Sequence, residues 1–99
     1  MAYGYFGTMR VQPGKREDVL AILLESSEGV RAAGCHAYLV GEGDDPDVIC
    51  VSELWESKEA HDASLQIPET RDAIARAMPM LTGEFVGYEM TVRGGLGAP

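Results

Sequence analysis

Tyr3, Tyr5, Met9 and Val11 alternate with Gly4, Phe6, Thr8 and Arg10. A period of two with aromatic and β-branched content predicts a first strand from Tyr3 to Val11. Pro13-Gly14 ends it, because proline has no N–H for a ladder and glycine supplies turn geometry. The period then changes. From Lys15 to Ala33 the positions Val19, Ile22, Leu23, Ser26, Val30 and Ala33 recur at three and four, while Glu17, Asp18, Glu25, Glu28 and Arg31 fill much of the remainder. This predicts one amphipathic helix. Glu17 and Asp18 suit the positive end of its dipole, and Gly34 is placed to cap its C-terminus.

Cys35 to Gly41 and Val48 to Trp55 are apolar runs separated by Glu42-Gly43-Asp44-Asp45-Pro46-Asp47. They predict a β-hairpin with a solvated acidic tip. The tip lacks the spaced ligands and distal glutamate of a calcium loop. Ser57 suits the N-cap of a short helix from Lys58 to about Gln66, and Pro68 the first turn of another. That second helix is expected to bury Ile67, Ile74, Met78 and Leu81, with Pro79 marking its end. Glu84 to Val92 alternates again, with apolar groups on both sides, so a strand covered on both faces is expected there. Residues 1–93 read as one domain, and the glycine-rich residues 94–99 as a flexible C-terminal tail.

Strand, helix, strand, strand, helices, strand is the order of an α+β, ferredoxin-like split βαβ fold with a four-stranded antiparallel sheet. Right-handed crossovers put both helical layers on one face, with the first and third strands central. The opposite face is then bare in a single chain. Since Tyr, Met, Val and Phe lie on both faces of several strands, a homodimer packed sheet to sheet is expected to cover it.

Composition narrows the partners. With 99 residues, 45% of them hydrophobic, the chain forms one small core whose burial is modest. Its net charge of -8 repels phosphate backbones and anionic membranes alike, so neither nucleic acid nor a membrane is an expected partner. No run of about 18 apolar residues is present, and the first residues lack a basic-then-apolar pattern, which makes a cytoplasmic location the default. If the hairpin turns near Asp44-Asp45, Cys50 faces Leu39 and Cys35 lies ~13 Å further along the strand. That is too far for a disulfide, so two reduced thiols are expected.

Glu53 and Trp55 lie two apart on one strand and share a sheet face, and His61 follows one to two turns into the next helix. Three side chains can thus converge on one cavity at a strand-to-helix junction. The plainer alternative has Trp55 closing the core, Glu53 paired with an arginine and His61 exposed. His36, beside Cys35, is the second imidazole able to take or give a proton near neutral pH, or else to fix the strand end by a hydrogen bond. His36, His61, Cys35 and the scattered carboxylates do not have metal-ligand spacing. Dinucleotide fingerprint, phosphate loop, CxxC and nucleophile elbow are all missing. No metal or other cofactor is therefore expected.

Pro13-Gly14, Gly34-Cys35-His36-Ala37-Tyr38, Glu53-Leu54-Trp55-Glu56-Ser57 and Leu65-Gln66-Ile67-Pro68, in this order, resemble the antibiotic biosynthesis monooxygenase family, and within it the quinol monooxygenase type. The resemblance spans roughly residues 3 to 92. It implies a dimeric α+β barrel in which each subunit keeps a pocket between its own sheet and helices. It also implies oxidation of quinols or polycyclic aromatics by molecular oxygen without metal or flavin. On that reading His36 or His61 is the base that forms a phenolate, and Tyr5, Glu53, Trp55 and Tyr88 contact the substrate. Two departures matter. Many relatives carry a histidine nine residues after the tryptophan, where this chain has Ser64. The heme-degrading branch has an asparagine in strand one and a second tryptophan, whereas this chain has Gly7 and a single Trp, which argues against heme degradation. Isomerase or lactone chemistry on the same scaffold, and a non-catalytic ligand-binding or accessory dimer, are the competing readings.

Overall fold

A computed structural model describes residues 1–99. Strand β1 (Ala2–Val11) lies between β3 (Val48–Trp55) and β4 (Leu81–Val92), with β2 (Cys35–Glu42) beyond β3. The order β2-β3-β1-β4, with every neighbouring pair antiparallel, is the expected split βαβ sheet. Helices α1 (Arg16–Glu25) and α2 (Ser27–Ala32) form the first crossover, and α3 (Lys58–Ser64) and α4 (Pro68–Ala77) the second. A short 3-10 turn, Met78–Met80, follows α4 where Pro79 cannot continue it.

The period-two strands present Tyr3, Tyr5, Gly7, Met9 and Val11 to the helices and the alternate residues to the outside. The main core joins Val11, Ile49 and Val51 of the sheet to Val19 and Ile22 of α1 and Ala73 and Ala77 of α4. Val11, Val19 and Ile49 are at most 1% exposed, so each contributes roughly 1.5–3 kcal/mol of burial. A second cluster holds Tyr3, Val30, Cys35 and Trp55 at the other end of the inner face.

Four expectations need correction. The helix from Lys15 to Ala33 is broken at Ser26 into α1 and α2. Ser26 Oγ donates to the Leu23 carbonyl and Ser27 Oγ to that of Leu24, both at 3.0 Å. Such local bonds compete with the helical ladder, which periodicity does not register. The hairpin turns about Asp45-Pro46, so Cys50 faces Gly41 and Leu39 faces Ser52. Both cysteines are nonetheless free thiols. In α4 the buried side chains are Ala73 and Ala77, whereas Ile74 and Met78 are 44% and 54% exposed. Small alanines let the helix approach the sheet, and the longer side chains point along a cavity. Finally, β4 is exposed along nearly its whole length in the single chain. It is an edge strand whose outer residues Val86, Tyr88 and Met90 are 49%, 69% and 46% exposed.

Residues 93–99 form neither helix nor strand. Gly94, Leu96, Gly97 and Ala98 border a shallow groove on the outer face together with Phe6, Leu54 and Met90. No helix is long and apolar enough to cross a membrane.

Candidate active site

Between the inner face of the sheet and the helices lies a cavity of about 290 Å³, at the small end of the range for ligand sites. Its walls are mostly apolar, and Tyr5, Tyr38, Glu53, Trp55 and His61 line it together. Glu53 and Trp55 reach it because they sit two apart on β3, where side chains return to the same face. Trp55 is 1% exposed, and its Nε1 donates to Glu53 Oε1 at 2.9 Å. The indole therefore packs the core and orients a carboxylate at the cavity wall, uniting two roles that the sequence left as alternatives.

His61 is delivered by α3. That helix starts where Ser57 Oγ accepts from the Ala60 backbone N–H at 3.0 Å, and at its end Ser64 Oγ donates to the His61 carbonyl at 2.6 Å. The imidazole sits among three aromatic rings, with centroids 5.1 Å from Tyr3, 5.9 Å from Tyr5 and 5.4 Å from Trp55. It lies nearly parallel to Tyr5 and edge-on to Trp55. Its Nδ1 is 3.0 Å from Asp62 Oδ1, and the side chain is only 16% exposed. With Nδ1–H donating to Asp62, the neutral ring keeps the Nε2 lone pair free to accept a proton.

Burial raises three neighbouring acids. The Tyr38 hydroxyl is pushed up to about 12, first by burial and then by the Glu53 carboxylate. The Tyr3 hydroxyl is also driven up, by burial and by its 2.6 Å bond to Glu89 Oε1. The Cys35 thiol rises through burial and the charge of Glu53. At neutral pH these groups stay protonated, so the phenols act as donors rather than bases.

The model of the antibiotic biosynthesis monooxygenase family matches residues 3–76. The chain belongs to this family. A candidate antibiotic biosynthesis monooxygenase from Chloroflexus aurantiacus J-10-fl is 36% identical, with 97% of this chain and 99% of that one aligned at a TM-score of 0.81. Rv0793 from Mycobacterium tuberculosis is 20% identical over 97% of this chain and 99% of its own, at a TM-score of 0.83. A further family candidate from Caulobacter crescentus CB15 is 24% identical over 94% and 91% of the two chains, at 0.85. These last two likenesses bear on the fold alone. No curated protein matches the sequence.

Within this monooxygenase-family chain, the structure brings together four of the six residues singled out from sequence: Tyr5, Glu53, Trp55 and His61. His36 lies elsewhere. The register between β2 and β3 slips between Cys35 and Ala37, leaving His36 as the extra residue of a bulge, exposed beside a separate surface groove with Arg31. Tyr88 pairs with Phe6 in the sheet and faces outward. Sequence reasoning missed Tyr38, which stands opposite Glu53 and would have followed from the correct hairpin register. It also missed Ile74 and Met78 as cavity walls, having placed them in the core. Ser64, in the position where many relatives have histidine, is 3% exposed and borders the cavity. No three His, Cys, Asp or Glu side chains converge as metal ligands.

Proposed function

We propose that this family member is a cofactor-independent monooxygenase oxidising a small phenol or quinol with molecular oxygen. The observation that carries the reading is His61, held by Asp62 at Nδ1 and set among Tyr3, Tyr5 and Trp55 at the wall of an apolar cavity. Nε2 takes the phenolic proton, a step worth about 10²–10⁴-fold when the base is well placed. The phenolate passes one electron to oxygen. The aryloxyl radical and superoxide then join at a ring carbon that bears hydrogen, ortho or para to the phenolic oxygen. The peroxide takes back the proton held by His61, and loss of water, made from that proton and the ring hydrogen, leaves a carbonyl. A phenol and O2 thus give a quinone and water, with one oxygen atom in each product. Excluding water from such a cavity strengthens the interactions that hold the phenolate.

The outer sheet face supports a homodimer as the working unit. Phe6, Leu39, Val86, Tyr88 and Met90 all lie on it with 37–69% of their surface exposed, an apolar area that a single chain leaves in water. Light scattering behind a sizing column is expected to give twice the chain mass, and Leu39→Asp to shift it toward the monomer. A wild-type protein that elutes as a monomer at all concentrations defeats this part.

The catalytic test is oxygen uptake with a panel of hydroquinones and polyketide-like phenols, with and without a chelator. Uptake insensitive to chelator, falling about 10²–10⁴-fold in His61→Ala, is the expected result. Turnover that consumes no oxygen points to isomerase chemistry. Binding without any turnover points to an accessory dimer.

A further inference from the structure

Gly7 of β1 and Gly87 of β4 stand opposite each other on the inner face of the sheet. Neither has a positive φ, so their backbone conformations are open to any residue. Glycine inside a strand weakens it and often marks a close approach by another group. Here that group is Tyr5. A Cβ at Gly87 would lie 2.6 Å from Tyr5 Oη and 3.1 Å from both Cε2 and Cζ of the ring. A Cβ at Gly7 would lie 3.0 Å from Oη, and also 2.9 Å from the Val86 carbonyl oxygen. The paired glycines form a notch without side chains, and the outer end of the phenol rests in it.

The position of Tyr5 matters because its ring lines the cavity and lies 26° from the plane of His61. We infer that the Gly7–Gly87 notch is a specificity-determining element: it lets Tyr5 lie along the sheet as a floor and so keeps the cavity tall enough for a flat aromatic ring beside His61. The three atoms nearest a methyl group at position 87 all belong to the tyrosine side chain. It therefore lifts the phenol into the space a substrate ring would use. This inference rests on the cavity's being an aromatic site, and it adds what sets the height of that site. Glu53 is the one acidic or basic residue besides His61 among the walls, and its carboxylate disfavours an anionic ring, so a neutral one is the probe to use.

The test is a cycle of wild type, Gly87→Ala, Tyr5→Val and the double variant, each checked by circular dichroism. Affinity for neutral β-naphthol is measured by fluorescence, and the Tyr5 ring resonances by NMR. Gly87→Ala is expected to weaken β-naphthol binding by about tenfold or more, the scale of one unwanted methyl group in a fitted pocket. It should also displace the Tyr5 resonances. In the Tyr5→Val background the same change should alter affinity by less than about twofold, because the colliding ring is gone. Equal losses in both backgrounds, or wild-type affinity in Gly87→Ala, overturn the inference. A wild-type protein that binds no β-naphthol defeats the aromatic-site reading instead. The resonances then decide the notch alone: displaced, Tyr5 is seated there, and unmoved, it is not.

Discussion

Trp55→Phe tests the joint between core and cavity. The substitution keeps an aromatic ring at a position that is 1% exposed but removes the Nε1–H that donates to Glu53 at 2.9 Å. A hydrogen bond to a charged acceptor contributes about 1.5–3 kcal/mol, and its loss leaves a partly buried carboxylate without that partner. The smaller ring also gives up roughly 40 Å² of buried apolar surface, about 1 kcal/mol at ~25 cal/mol per Å². Together these cost about 2.5–4 kcal/mol, a large share of the ~5–15 kcal/mol that holds such a domain. Thermal melts should therefore fall by roughly 10–30 °C, taking about 4–8 °C per kcal/mol for a domain of this size. Urea melts of Trp55→Phe, Glu53→Leu and the double variant separate the two contributions. Contacting residues should couple by about 1.5–3 kcal/mol in that cycle. A single-variant loss below about 1 kcal/mol, or strict additivity of the two changes, would refute the view that Trp55 orients Glu53.

Glu89 gives a prediction in pH. Its carboxyl is held below the ordinary 4.5 by the hydrogen bonds from Lys58 and Tyr3. A carboxylate depressed in the folded state stabilises it above the unfolded value, and that contribution disappears as pH falls through the folded value. The melting-temperature difference between wild type and Glu89→Gln should thus be largest above the ordinary carboxyl value of 4.5 and shrink as the pH falls below it; a gap that widens on acidification contradicts the assignment. Gly34, at φ 105, sits where the chain leaves α2 for β2. Gly34→Ala should lose about 1–2 kcal/mol in urea titration, since a Cβ is disfavoured at positive φ. An unchanged midpoint would mean that the turn relaxes freely.

The change of period from two to about 3.6 and back was enough to read the element order and the sheet topology. Two misplacements had different consequences. Shifting the hairpin by two residues leaves every side chain on its own face, so Glu53 and Trp55 were still found on the cavity side while the partner of Glu53, Tyr38, was not. A bulge acts by one residue and reverses the face, which is why His36 is directed away from the site. Bulges leave no mark in hydrophobicity. Ser26 kept the helical spacing while its hydroxyl bonded to the Leu23 carbonyl, so a helix break was concealed by the pattern that predicted the helix. The alanines of α4 carry too little apolar surface to stand out beside Ile74 and Met78, yet they are the residues that pack.

Strand β1 sends Tyr5, Gly7 and Met9 to the cavity and Gly4 and Phe6 to the outer face. The two surfaces are therefore interleaved along one stretch of backbone but chemically independent. An engineer can reshape the cavity through Tyr5 or Met9 while leaving the outer side chains in place, and alter the outer face through Phe6 while leaving the cavity side chains in place. Insertions are another matter. One residue added in the middle of β1 would exchange the two sets for the rest of the strand, filling the cavity floor with the exterior pattern. Single-residue changes in the length of β1 should therefore disrupt the cavity and the outer face together.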